Sequence, residues 1–87
     1  MRIFKLSDSI SLRNDGDKYL LFDNVSGNIF KLNELSYEIL SLCDGLNNEA
    51  TIINKISGVF DVSQEKIHSD FNSLIDMLLE KQYISAI

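Results

Sequence analysis

A chain of 87 residues is sized for one domain, here residues 1–87, and leaves little room for a deep catalytic cleft. A hydrophobic fraction of 45 % and a charged fraction of 24 % are those of a globular chain and exclude intrinsic disorder. Thirteen acidic against eight basic residues give a net charge of −5, so the average surface repels phosphate backbones and anionic headgroups, and nucleic acid and membrane are disfavoured partners.

The N-terminal run MRIFKLSDSISL has no long apolar stretch followed by a small-residue cleavage site. No segment approaches the ~18 apolar residues of a membrane span, and a soluble, cytoplasmic protein is expected. Short alternation around Ile10 and Leu12 predicts a first strand over 9–13. The turn Asn14-Asp15-Gly16-Asp17 leads into a second strand over 18–23. A loop containing Gly27 then returns the chain in a third, Asn28 to Leu32, so a three-stranded antiparallel meander is expected.

From Asn33, a good N-cap, the period changes from two to about 3.6 residues. Leu35, Ile39, Leu42, Cys43 and Leu46 fall on one face, which predicts a first helix over 34–44 that Gly45 ends. After the polar break Asn47-Asn48, a short second helix is expected over 49–59, carrying Ile52, Ile53 and Ile56. Ser63 caps a third, in which Ile67, Phe71, Leu74, Ile75, Leu78 and Leu79 sustain an amphipathic stripe to about Lys81. Tyr83-Ile84 is a short terminal strand or packing segment. The class is α+β: a winged helix-turn-helix with an N-terminal three-stranded antiparallel sheet followed by three helices.

Catalytic chemistry has little to work with. His68 is the lone histidine and Cys43 the lone cysteine, the latter on an apolar helix face where a thiol behaves as a small hydrophobe. No metal-ligand spacing, calcium loop or phosphate-cradling glycine run is present, so neither a metal nor a cofactor is expected and the chain does not read as an enzyme. DNA binding, the alternative that a helix-turn-helix raises, fits poorly, because the third helix sets Lys66 and Lys81 against Glu65, Asp70, Asp76 and Glu80.

Peptide binding suits the sheet better. If the third strand, Asn28, Ile29, Phe30, Lys31 and Leu32, lies at an edge, its unpaired N–H and C=O groups can template an added strand; equally, Phe30 and Leu32 merely face the core and the edge stays bare. Helix residues able to reach such a strand lie off the core stripe. One flank offers Lys66, Asp70, Ser73 and Met77, the last an adaptable apolar group, and the other offers His68, Ile75 and Leu79. Periodicity leaves the choice open.

The passage LLFDNVSGNIFKLNELSYEILSLCDG, with Thr51 and the Ile-rich second helix, the turn Phe60-Asp61-Val62-Ser63, Asp70-Phe71, Leu74 and a final Tyr-Ile, resembles the PqqD-like family. These are the recognition elements that bind leader peptides of ribosomally made natural products. The resemblance implies a stand-alone, non-catalytic adaptor. A precursor peptide would pair with the third strand under the third helix and be presented to a separate maturation enzyme: a radical-SAM enzyme, as in pyrroloquinoline quinone assembly, or a lasso-peptide protease and cyclase. A monomer or weak homodimer is expected.

Overall fold

The computed structural model describes residues 2–87. In chain order it forms β1 (Ile3–Leu6), β2 (Ile10–Asp15), β3 (Lys18–Asp23), β4 (Ile29–Leu32), α1 (Glu34–Ser41), β5 (Asp44–Asn48), α2 (Glu49–Ser57), α3 (Gln64–Glu80) and β6 (Ile84–Ala86). The strands make two three-stranded sheets, ordered β2-β3-β4 and β5-β1-β6, with every pairing antiparallel. The α+β class and the β2-β3-β4 meander agree with the sequence.

The second sheet was not foreseen. β1 lies ahead of the expected first strand, and β5 occupies what the helical pattern assigned to the end of the first helix and the break after it. The helix stops at Ser41 because the next two residues close it, the Leu42 N–H bonding back to the Ile39 carbonyl and the Cys43 N–H to that of Leu40. The Cys43 carbonyl then accepts the Leu6 N–H at 3.2 Å. Leu46, expected on the helix's apolar face, is instead 83 % exposed on β5. α2 likewise ends two residues early, leaving Val59 outside it and exposed.

β5 bulges against β1: Ile3 pairs with Asn48 and Lys5 with Asp44, so the β5 side carries extra residues. Gly45 makes this possible with φ +84°, and a Cβ there would stand 3.4 Å from Ile87 Cδ1. The Asp44 carboxylate closes the bend by accepting the Leu46 N–H at 2.9 Å.

Two helices start at the expected caps, Asn33 and Ser63, and α2 at Asn48, which the sequence offered only as a polar break. Asn33, Asn48 and Ser63 are extended and accept the N–H of Ser36, Thr51 and Lys66, respectively. A single core then takes Phe4 and Ile84 from one sheet and Ile10 and Leu21 from the other. The helices contribute Ile39, Leu40, Ile52, Ile56 and the α3 stripe Ile67, Phe71, Leu74, Ile75 and Leu78. Phe4 meets Phe71 edge to face with ring centroids 5.9 Å apart. Burying each such side chain contributes roughly 1.5–3 kcal/mol.

Candidate functional site

β4 is an edge strand. It pairs with β3 through Leu32 to Tyr19, Lys31 to Leu20, Phe30 to Leu21 and Ile29 to Phe22, and among the described residues no strand covers its other side. Asp23 donates its N–H to the Asn28 carbonyl at 2.9 Å. Hydrogen-bonded and non-hydrogen-bonded pairs alternate along an antiparallel ladder, so Phe30 and Leu32 exchange bonds with β3. The backbone N–H and C=O groups of Ile29 and Lys31 point to the open edge. Side chains alternate the other way: Phe30 and Leu32 are half-buried against the core, while Ile29 and Lys31 face out.

The α3 flank beside this edge is hollow. Lys66, Asp70, Ser73 and Met77 line it along the helix, Leu74 floors it, and Asn33 and Ser36 form the opposite wall, around about 340 Å³. The structure therefore brings together all four helix residues named from the sequence. It does not put Asn28 to Leu32 in the hollow itself, which opens at Asn33, the residue following β4. Asn33 and Ser36 escaped sequence reasoning because capping α1 already accounted for the first. Lys66 donates to Asp70 at 2.9 Å, an exposed i,i+4 pair. Met77 is 42 % exposed.

The other flank is occupied by packing. Ile75 is 1 % exposed, Leu79 rests on the core, and His68 lies 3.6 Å from Glu49 of α2. Ile75 and Leu79 hold α3 to the domain, while the His68 side chain stays 56 % exposed.

Phe30 marks the far end of the edge. Its ring lies beneath Lys81 Nζ, 5.4 Å from the centroid, and edge-on to Tyr83 at 5.9 Å. The nearby β3–β4 turn is organised by Asp23, whose carboxylate accepts the Val25 N–H at 3.0 Å, the Ser26 N–H at 3.3 Å and the Ser26 hydroxyl at 2.8 Å. Gly27, at φ +81°, donates its N–H to the Asp23 carbonyl. The Ser26 hydroxyl, then that of Tyr83, holds the Asp23 carboxyl down at about 2. Tyr83 is correspondingly raised, first by Asp23 and then by burial.

The lone cysteine, Cys43, serves the frame. Burial, with the Asp44 charge adding to it, pushes the Cys43 thiol up to about 12, and its Sγ donates to the Ile39 carbonyl. Among the described residues no three His, Cys, Asp or Glu side chains are grouped to hold a metal, and no helix is long and apolar enough to cross a membrane.

The sequence family described as coenzyme PQQ synthesis protein D (PqqD) matches residues 18–84, from the start of β3 to the first residue of β6. The chain belongs to the PqqD family. No curated protein matches its sequence. Solved structures give this PqqD-family fold at low identity. TbiB1, in complex with the TbiA(beta) leader peptide, has a TM-score of 0.77 at 21 % identity, covering 93 % of this chain and 94 % of its own. A lasso peptide synthetase B1, complexed with the leader peptide, has a TM-score of 0.76 at 20 % identity and 98 % coverage of both chains. The heterocyclase TruD contains the fold as a part: all of this PqqD-family chain aligns with 12 % of TruD, at a TM-score of 0.67 and 18 % identity.

Proposed function

We propose that this protein binds the leader region of a ribosomally made precursor peptide as an additional strand on β4, and presents it without catalysis to a separate maturation enzyme. The observation that carries the reading is the open edge at Ile29 and Lys31 beside the hollow flank of α3. A peptide paired there makes main-chain hydrogen bonds with β4, and its alternate side chains turn toward Lys66, Asp70, Ser73 and Met77. Two solved relatives in fold are leader-peptide complexes, which supports the same class of ligand here. The enzyme served is a radical-SAM enzyme or a lasso-type protease and cyclase. We read α1–α3 with the β2-β3-β4 sheet as a winged helix-turn-helix put to peptide binding in the cytoplasm, acting as a monomer or weak homodimer.

Titrating the isotope-labelled protein with the precursor encoded beside it is expected to shift the amides of Ile29, Lys31 and the α3 flank. Shifts confined to other elements, or no binding at high micromolar peptide, would refute strand addition.

A further inference from the structure

The β2-β3-β4 sheet has a second face, turned away from the core. Alternation places Leu20 and Phe22 of β3 on it, beside Ile29 of β4, which pairs directly with Phe22. Leu20 and Phe22 are half-buried, yet neither packs on the core, and Ile29 is 58 % exposed. Scattered single hydrophobes on a surface need no explanation. Here three adjoin across two paired strands.

Charge is sorted around them. Arg13 pairs across from Leu20, Lys31 pairs with Leu20 on the other side, and Lys18 precedes them on the same face of β3. Three of the eight basic residues of a chain with net charge −5 thus border one apolar centre. Asp15 shares the face, but its contact with Arg13 at 3.6 Å is an exposed pair of small energetic weight.

We propose that this outer face docks a second protein whose matching surface is apolar at its centre and acidic at its rim. Building on the peptide-binding reading, that protein is the maturation enzyme. The basic rim supplies charge complementarity to an acidic partner and opposes a second copy of this chain, which would set Arg13, Lys18 and Lys31 against themselves. Continuity points the same way. A peptide strand added to β4 extends this sheet, so its outward side chains join Ile29 and Lys31 and the enzyme meets peptide and adaptor on one surface. The hollow at α3 lies on the opposite side of the strand, and the two ligands do not compete.

The test uses the purified maturation enzyme encoded with the precursor, titrated without peptide into wild type, the charge-reversed variant R13E/K18E and Phe22→Ser. Leader-peptide affinity is measured separately on all three, and an amide spectrum verifies each fold. Wild type is expected to bind with shifts at Ser11, Arg13, Leu20 and Phe22. R13E/K18E should weaken enzyme binding about tenfold or more and flatten its salt dependence, with leader affinity unchanged. Phe22→Ser should weaken it too. If Phe22→Ser does not fold, the exposed charge reversal decides alone. Absence of enzyme binding by wild type, or equal binding by R13E/K18E, would overturn the docking face. So would self-association that the same substitutions abolish. Loss of leader binding by wild type would instead sink the peptide reading, since the enzyme titration contains no peptide.

Discussion

Phe30 of the edge strand and Tyr83, just beyond α3, meet edge to face with ring centroids 5.9 Å apart. This contact joins the start of β4 to the end of α3 and fixes how far the strand edge stands from the helix flank. Replacing Phe30 by Leu keeps an apolar side chain but removes the aromatic pair, at a cost of about 1 kcal/mol. Urea denaturation is expected to register that loss, and peptide affinity to fall with it, because the spacing of the trough is no longer held.

Proline separates the two kinds of position on β4. Lys31→Pro removes an N–H that points to the open edge, a substitution that edge strands tolerate. It should leave the amide spectrum native and abolish strand addition. Phe30→Pro removes an N–H directed at β3 and should disrupt the β3–β4 pairing. Native spectra with intact peptide binding in both variants would show that β4 is not the pairing edge.

Phe71 and Met77 lie on the same helix but differ in burial, 0 % against 42 % exposed. Phe71→Ala deletes a ring that also packs on Phe4 and should cost about 3–5 kcal/mol. Met77→Ala should change stability by less than about 1 kcal/mol while weakening leader binding. Chemical denaturation and peptide titration on the same two variants check both halves.

The parts of this fold legible in the sequence are those specified by neighbours in the chain. Asn33 and Ser63 cap helices with their own side chains, and Asp23, Ser26 and Gly27 build a turn among themselves; such signals are local. β1 was missed because its partners, β5 and β6, come from distant segments, and four residues carry too little alternation to announce a strand alone. β5 was misread because Cys43 does face the core, as a helix would have it, whereas Asp44 turns away to pair with Lys5. At the site, periodicity gave Lys66, Asp70, Ser73 and Met77 as one flank. Only the tertiary arrangement reveals that Ile75 and Leu79 are spent on packing and that His68 sits exposed beside Glu49.

Asp23 makes stability depend on acid in a defined window. Its carboxyl, ordinarily near 3.8, is held at about 2 in the folded state, first by the Ser26 hydroxyl and then by Tyr83. A lowered folded-state value means the unfolded chain takes up the proton first, so stability rises with pH between the two values. The contribution is therefore full above about pH 4, declines as the pH falls toward 2, and is absent below. Asp23→Asn has no proton to exchange at this position. Thermal melts of the two proteins are expected to converge near pH 2 and to separate, with wild type higher, on approaching pH 4. Because Asp44 is also lowered, chiefly by the Leu46 N–H, and titrates in both proteins, the difference between the curves isolates Asp23. A constant offset across that range would show that the carboxylate's charge plays no part in holding the turn.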